Sequence, residues 1–439
     1  MENGIERSKY LIVISLDSLN TRDLDYIKEL PNFKEILKKG AYIKKVQGVY
    51  PSLTYCAHTS MVTGMYPDRH GIYNNEIFDP YAEIQRWNWE SKYIKTKTIV
   101  DAAKEKGLKI ASIFWPVMGK CKADYVIPEI WPVNGENQAV VTIKNGTPFY
   151  VLDNFLRYRK ELDGKKEPNL DEFILKIIER TIIKKKPNLI LAHLIHVDEF
   201  RHLYGTFSDK AKEALKASDG RIGKIIEASQ KAGTYDDTTF IILGDHGFRD
   251  VKYMVNLNVA LEKEGFIELD KDGSLKSWKV FCNTSDGSAQ IHIKDEFKDE
   301  LRSKVFEILH SWMKDYGIAE VYSKDQCREK KVDGDFEFMI EAEDGYYFRN
   351  FLRGHHVVEE IEPENMNKSQ DERHVATHGY DPDRDDYKSL FIACGRSVKG
   401  GAVLETGCLV DAAPTFAEIL GIDFNGTEGN VLKELLKER

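Results

Sequence analysis

The sequence predicts an α/β protein with a mostly parallel central sheet, because apolar β-branched runs alternate with amphipathic segments. The run from Tyr10 to Leu16 is nearly continuous in apolar residues, which is typical of a strand buried on both faces. Residues Thr98 to Lys106 form an amphipathic segment that ends at Gly107, and Lys109 to Phe114 is a second buried run. This β-α-β order favours a doubly wound sheet.

The same alternation continues along the chain. We predict strands at Tyr42 to Val46, Asn188 to Leu194 and Thr239 to Leu243, and helices at Asn32 to Lys39 and Lys210 to Lys231.

A segment from about Phe266 to Ala376 interrupts this alternation. It is rich in turns, with a strand-like piece at Ser288 to Ile293 and a helix around Lys298 to Asp315. After it, Leu390 to Cys394 and Asp411 to Leu420 return to the core. We therefore interpret residues 266–376 as an inserted subdomain near the site described below, and residues 1–265 with 377–439 as one core domain.

Composition excludes several classes of protein. With 42% hydrophobic and 31% charged residues among 439, the chain is typical of an ordinary globular protein. The net charge of -9 argues against a stable nucleic-acid partner, since phosphate backbones attract clustered Lys and Arg. The N-terminal apolar run is too short for a signal peptide or a membrane span, and we expect no membrane association. Six cysteines without paired spacing predict a cytoplasmic location, and the sequence does not indicate an oligomeric state.

Polar residues follow three of the predicted strands. Asp17, Asp198 and Asp245 each come shortly after an apolar run. In open α/β sheets, ligands bind outside the carboxyl ends of the strands, so we expect these three carboxylates to meet at one edge.

Two histidines accompany these aspartates. Asp198 and His202 are four residues apart, so on a helix both side chains project from one face. They are suited to holding one metal together, although an Asp cap beside a surface His is the favoured explanation of this pair on its own. Asp245 and His246 lie between Gly244 and Gly247, and the glycines allow a tight turn in which both side chains reach a metal.

Thr54 opens a segment that predicts a helix to Val62. Coordination to zinc lowers the pKa of a hydroxyl and replaces the general base that such a nucleophile otherwise needs. A helix N-terminus also offers free N–H groups to an anion. Thr54 as a simple N-cap is compatible with this hypothesis, and Asp17 alone fits a helix cap as well as a ligand.

Taken together, these motifs resemble the type I phosphodiesterase/nucleotide pyrophosphatase family of the alkaline phosphatase superfamily. The motifs are Asp17, the Thr54 segment leading into Val62 to Ile72, Asp198 with His202, Gly244 to Gly247, and Thr377-His378-Gly379. His378 rests on this order alone, because His355, His356 and His374 are equally suited by composition. The resemblance covers about residues 10–260 and 375–425.

The resemblance implies an alkaline-phosphatase-like α/β/α sandwich with an inserted subdomain and two Zn2+ per chain. One zinc would be held by Asp198, His202 and His378. The other would be held by Asp17, Asp245 and His246, with Thr54 bound to it as nucleophile. The implied reaction passes through a phosphothreonine intermediate on Thr54, with a small-molecule phosphodiester or nucleotide as substrate.

Three further residues resemble substrate contacts of that family. Asn75, shortly after the His70-Gly71-Ile72 run, resembles an amide that donates to the phosphate, although Asn also stabilises turns. Tyr55 and Trp115 resemble residues that line the leaving-group pocket, and aromatic faces stack on nucleobases. Core packing is the alternative for both.

The sequence also departs from the family pattern. Cys56 and Ala57 stand where a Pro-Asn pair is common, and Leu194 to Val197 replaces an acidic, proline-containing lead-in. A phosphomonoesterase, a phosphonate hydrolase and a non-catalytic binding protein therefore remain alternatives. A sulfatase is excluded, because Cys56 is not followed by the Pro and Arg that such enzymes need.

Overall fold

The computed structural model describes residues 4–133, 135–162, 167–353, 355–362 and 373–439. Its strands are β1 (Tyr10–Leu16), β2 (Ala41–Gln47), β3 (Ile110–Ile113), β4 (Tyr125–Ile127), β5 (Leu189–Leu194), β6 (Thr238–Leu243), β7 (Arg249–Asp250), β8 (Tyr253–Val255), β9 (Ile267–Leu269), β10 (Leu275–Trp278), β11 (Val280–Ser285), β12 (Ser288–Ile293), β13 (Ile318–Ser323), β14 (Phe338–Ala342), β15 (Tyr346–Phe348), β16 (Val358–Glu360), β17 (Ala376–Thr377), β18 (Ser389–Gly395) and β19 (Val403–Cys408).

The structure contains the following α-helices. They are α1 (Leu24–Ile27), α2 (Pro31–Lys39), α3 (Thr54–Thr63), α4 (Pro67–His70), α5 (Ile99–Glu105), α6 (Gln138–Asn145), α7 (Pro148–Tyr158), α8 (Asn169–Lys185), α9 (His196–Tyr204), α10 (Asp209–Ala232), α11 (Leu257–Lys263), α12 (Lys298–Trp312), α13 (Lys324–Glu329) and α14 (Ala412–Leu420).

Eight strands form the central sheet in the order β19-β2-β18-β6-β1-β5-β3-β4. Strand β18 runs antiparallel to both of its neighbours, β2 and β6. The other pairs are parallel. The predicted α/β fold with a mostly parallel sheet is therefore confirmed, with β1, β5 and β6 adjacent at its centre.

Both faces of this sheet are buried, as the unbroken apolar run of β1 predicts. Leu11 and Val13 face one core, which includes residues of α3, α5 and α14. Ile12 and Ile14 face the other, which includes residues of α2, α8 and α10. Burial of each such side chain contributes about 1.5 to 3 kcal/mol, and the helices on both faces complete an α/β/α sandwich.

A second region packs around its own core. Strands β11, β12, β14 and β13 form a four-stranded antiparallel sheet in that order, with α12 against it. Strand β8 pairs with β15 and β16, so this packing begins before the predicted boundary at residue 266. Residues 354 and 363–372 of the predicted insertion lie outside the described residues, and the domain boundaries stay a prediction.

The predicted elements of the core are present with small differences in their ends. Strand β1 has the predicted bounds, whereas α10 begins at Asp209 and ends at Ala232, one residue beyond the prediction at each end. Within the described ranges, none of the helices combines the length and apolar character that crossing a membrane requires.

Candidate active site

The carboxyl edge of the central sheet gathers the three predicted aspartates. Asp17 directly follows β1, and Asp245 lies just beyond β6, the neighbour of β1. Asp198 lies on α9, which begins just after β5, the neighbour on the other side. Because parallel strands end at the same edge, one short loop or helix from each brings these side chains together.

The first ligand group consists of Asp17, Asp245 and His246, all of them buried. His246 Nε2 lies 3.2 Å from Asp245 Oδ2 and 3.4 Å from Asp17 Oδ1. The Ser18 amide donates to Asp245 Oδ1 at 2.9 Å. This bond fixes one oxygen of Asp245 and leaves the other facing the group.

The second ligand group consists of Asp198, His202 and His378. His202 Nε2 lies 3.3 Å from Asp198 Oδ2, one helical turn away on α9. His378 Nε2 lies 3.9 Å from Asp198 Oδ1, although 180 positions separate the two residues. The structure therefore brings His378 to the place that the motif order implies. Of the three alternatives, His374 also lines the site cavity, with its ring centroid 4.0 Å from that of His202, but the ligand group contains His378 instead.

All three ligand histidines donate their Nδ1–H to a backbone carbonyl. His202 donates to Ala376 at 2.9 Å, His378 to Ser52 at 3.2 Å and His246 to Gly247 at 3.2 Å. A carbonyl only accepts, so the proton of each neutral ring resides on Nδ1. Each Nε2 lone pair then faces its ligand group, as in metal-binding histidines whose other ring nitrogen donates to a carbonyl.

The glycines around Asp245 and His246 are required by packing rather than by a turn with positive φ. A Cβ on Gly244 would lie 1.8 Å from the carbonyl oxygen of Leu19. A Cβ on Gly247 would lie 2.6 Å from the Tyr387 ring. The chain thus passes closely against its neighbours here, which holds the Asp-His pair in place.

Thr54 is the first residue of α3 and lies beside the first ligand group. Its Oγ1 is 3.3 Å from His246 Nε2, and the side chain lines the site cavity. Asn75 lines the same cavity, and its Oδ1 accepts a hydrogen bond from the Tyr55 amide at 2.9 Å. With that oxygen engaged, the Asn75 side chain offers its amide nitrogen as a donor to a bound anion.

Histidines compensate the charge of Asp198, whereas the charges of Asp17 and Asp245 are poorly compensated by the protein itself. Asp17 Oδ1, Asp198 Oδ1 and Asp245 Oδ2 are buried and have no hydrogen-bond partner in the described part of the chain. Burial raises the pKa of Asp245 to about 7. Burial, then the charges of Asp198 and Asp245, raise the pKa of Asp17 well above its usual range. Such a cluster needs cations, and oxygen and imidazole ligands in groups of three fit zinc ions.

The site opens into a cavity of about 480 Å³. Its lining includes Trp87 and Trp131, together with Glu76, Asp286 and Arg349. Tyr55 and Trp115, the aromatic residues chosen from the sequence, are fully buried and do not line it. Tyr55 instead packs edge-on against Trp87, with ring centroids 5.2 Å apart.

Two polar residues that the sequence did not indicate, His193 and Glu129, lie beneath the first group. His193 on β5 lies between Asp17 and Glu129, with nitrogen-to-oxygen distances of 3.1 and 2.9 Å. Burial alone would lower the pKa of His193, but these two carboxylates raise it well above its usual value. The available signal was a single imidazole in the apolar run Leu189 to Leu194.

A third cluster of ligand-type residues supports α9 from behind. Glu167, Asp171 and His196 have ligand atoms close enough to share a metal. However, the Arg221 guanidinium already lies between them, 3.1 Å from Asp171 Oδ2 and 3.1 Å from His196 Nδ1. Asp171 also accepts from the Ile195 amide at 2.9 Å, so the cluster caps the helix that carries Asp198 and His202.

Most of the chain matches the model of a known protein family. Residues 11–381 match the family model described as type I phosphodiesterase / nucleotide pyrophosphatase. Human ectonucleotide pyrophosphatase/phosphodiesterase family member 1 is 27% identical over 226 residues, which are 50% of this chain and 21% of the human protein. Venom phosphodiesterase 2 of Crotalus adamanteus is 26% identical over 265 residues, 58% of this chain and 29% of the venom protein. The chain therefore spans less than a third of the length of these relatives.

Solved structures resemble nearly the whole chain. Murine ectonucleotide pyrophosphatase/phosphodiesterase 5 superposes with a TM-score of 0.68 at 19% identity, covering 98% of this chain and 100% of that chain. An inactive threonine-to-alanine variant of the murine protein in complex with AMP gives the same TM-score. These likenesses establish the alkaline-phosphatase-like fold.

Proposed function

The chain belongs to the type I phosphodiesterase/nucleotide pyrophosphatase family, and from this membership we propose that it is a two-zinc hydrolase. Its substrates are small-molecule phosphodiesters or nucleotide pyrophosphates. The observation that carries the proposal is the pair of three-residue ligand groups beside Thr54 at one edge of the sheet.

Each of the two ligand groups would bind one zinc ion. Asp198, His202 and His378 would hold one zinc, and Asp17, Asp245 and His246 would hold the other together with Thr54. When bound, the zinc ions lower the pKa of the Thr54 hydroxyl and neutralise charge that develops on the phosphate. Three histidines with Nδ1 bonded to carbonyls present Nε2 without rearrangement.

Thr54 supplies the nucleophile. Its oxygen attacks phosphorus, a bond between Oγ1 and phosphorus forms, and the bond to the leaving oxygen breaks. The hydroxyl proton is lost to solvent, and the departing alkoxide or phosphate gains a proton from solvent. Water then attacks the phosphothreonine, which releases a phosphomonoester and restores the hydroxyl.

Asn75 and two tryptophans orient the substrate in this proposal. The Asn75 amide donates to a phosphate oxygen, as its engaged carbonyl favours. Trp87 and Trp131 replace Tyr55 and Trp115 as the aromatic contacts of a base or apolar leaving group, because they line the cavity. The AMP bound to the murine relative supports a nucleotide as the ligand class.

A comparison of initial rates tests the proposal. With added zinc, we expect a phosphodiester and a dinucleotide to be hydrolysed faster than a phosphomonoester or a phosphonate. Thr54→Ala should abolish turnover. Thr63→Ala on the same helix removes a hydroxyl that bonds the Thr59 carbonyl and the Met65 amide, outside the cavity lining, and should retain turnover. Preference for the monoester or the phosphonate would favour those alternatives, and the absence of zinc binding would favour a non-catalytic protein.

We also propose that the protein is located in the cytoplasm. All six cysteines are free, in keeping with the cytoplasmic location predicted from their spacing. Cell fractionation of the native protein tests it.

A further inference from the structure

His193 connects the first ligand group to the wall of the cavity. Its Nε2 lies 3.1 Å from Asp17 Oδ2, and its Nδ1 lies 2.9 Å from Glu129 Oε2. All three side chains are buried, yet Glu129 belongs to the lining of the site cavity. The chain of contacts thus runs from the cavity wall to an expected zinc ligand.

This arrangement differs from that of the three ligand histidines. Each of those rings has a backbone carbonyl on Nδ1 and presents Nε2 to a ligand group. His193 instead has a carboxylate oxygen at each nitrogen, so neither nitrogen is available to a metal. Its direct contact with the first ligand group is the one to Asp17.

The contact determines which oxygen of Asp17 faces the metal position. Oδ2 is engaged by His193, whereas Oδ1 is the oxygen that lies 3.4 Å from His246 Nε2. Oδ1 has no hydrogen-bond partner among the residues described. Rotation of the carboxylate would break the His193 contact, so Asp17 is held ready to bind through Oδ1.

Glu129 in turn holds the His193 ring. The ring lies in β5, and Glu129 lies just after β4, two strands away. Without an acceptor at Nδ1, the imidazole would keep its place in the strand but lose the bond that fixes its rotation. The carboxylates on both sides therefore define the ring's orientation.

We propose that Glu129 and His193 are positioning residues that orient Asp17 and thereby strengthen zinc binding by the group Asp17, Asp245 and His246. This inference rests on the proposed two-zinc site. It predicts that loss of Glu129 or His193 weakens zinc binding by this group and leaves zinc binding by the other group unchanged.

Zinc affinity, measured by competition with a chromophoric chelator, tests the proposal. In a His202→Ala background the remaining zinc is the one at the Asp17 group, and in a His246→Ala background it is the one at the Asp198 group. We expect Glu129→Ala to weaken zinc binding at the Asp17 group by about 10- to 100-fold, as the loss of a residue that orients a metal ligand does. Zinc binding at the Asp198 group should change by less than about twofold. Glu129→Gln retains an acceptor oxygen and should give a smaller loss at the Asp17 group.

A double variant shows whether Glu129 and His193 affect zinc affinity through the same contact or independently. Glu129→Ala and His193→Ala act through one carboxylate, so the double variant should lose no more affinity than the His193 variant alone. Glu341→Gln removes a buried carboxylate of the second region, away from the cavity, and should leave both affinities unchanged. If Glu129→Ala does not fold, Glu129→Gln decides by the same criterion.

The two-zinc function and the positioning role would be contradicted by different results. If the unaltered protein binds no zinc, the proposed two-zinc function fails. If it binds two ions and the Glu129 variants leave both affinities intact, or weaken both equally, the positioning role is wrong. Additive losses in the double variant would also contradict it.

Discussion

Thr54 Oγ1 and His246 Nε2 lie 3.3 Å apart, although 192 positions separate them in the chain. The contact joins the N-terminus of α3 to the loop that follows β6. A hydroxyl and an imidazole at this distance can share one metal ion, which is the arrangement that the proposed role of Thr54 requires.

Asp171 supports the helix that carries two ligands, so its loss should reduce stability. Asp171→Ala leaves Arg221 buried without this carboxylate and removes the acceptor for the Ile195 amide. Breaking a buried ion pair from one side costs about 3 to 5 kcal/mol. Urea unfolding should show this loss, whereas Asp153→Ala, which breaks half-exposed pairs with Arg157 and Arg180, should cost less than about 1 kcal/mol. Equal losses would contradict the role assigned to Asp171.

Removal of metal should destabilise the protein. Zinc that binds only the folded state adds about 4 kcal/mol at a concentration 1,000 times its dissociation constant. A chelator should therefore lower the melting temperature, and zinc, but not magnesium, should restore it, because the ligands include three imidazoles. A melting temperature that is insensitive to chelator and zinc would contradict the assigned ligand groups.

Glu341 should make stability fall as pH rises. Burial raises its pKa from 4.5 in the unfolded chain to about 8 in the folded protein. The folded state therefore holds the proton more tightly, so this contribution is complete below pH 4.5 and is lost as pH rises through 8. Between these limits the slope from one group is at most about 1.4 kcal/mol per pH unit.

The variant Glu341→Gln checks this assignment. It removes the titrating group while retaining an oxygen that can accept from the Asp381 amide, as Glu341 does at 2.8 Å. The free energy of unfolding, measured from pH 5 to pH 9, should depend less on pH in the variant. An unchanged slope would show that other groups cause the dependence.

Trp87 should contribute to the binding of an aromatic leaving group. Trp87→Ala removes a stacking surface worth about 1 to 3 kcal/mol, so KM for a nucleotide ester should rise by roughly 5- to 150-fold. KM for a small alkyl diester should change little. Trp278→Ala, in the second region and away from the cavity, is the matched control. An equal effect of both substitutions would argue against stacking.

Much of the fold was predictable because its signals are local. The apolar runs of β1, β5 and β6 reflect burial on both faces, and the Asp198–His202 and Asp245–His246 pairs are close in sequence. His378 was not distinguishable from its neighbours by composition, and only the motif order selected it. Its position depends on a loop that reaches Ser52, a contact between distant parts of the chain.

The remaining site residues depend on tertiary packing. Glu129 meets His193 across 64 positions, and no spacing rule indicates that contact. Trp131 lines the cavity and Trp115 does not, although both follow apolar strands in a similar way. Only the packing of the two rings distinguishes them. Burial of Tyr55 beside Trp87 likewise follows from packing around α3.

Titration of the metal-free protein with zinc, while phosphodiester turnover is measured, tests the central claim most directly. We predict that activity is absent after chelation, rises with added zinc and saturates when two ions are bound per chain. The same titration of Thr54→Ala should bind both ions without restoring turnover. Full activity in the chelated protein, or undiminished activity of Thr54→Ala, would contradict the account.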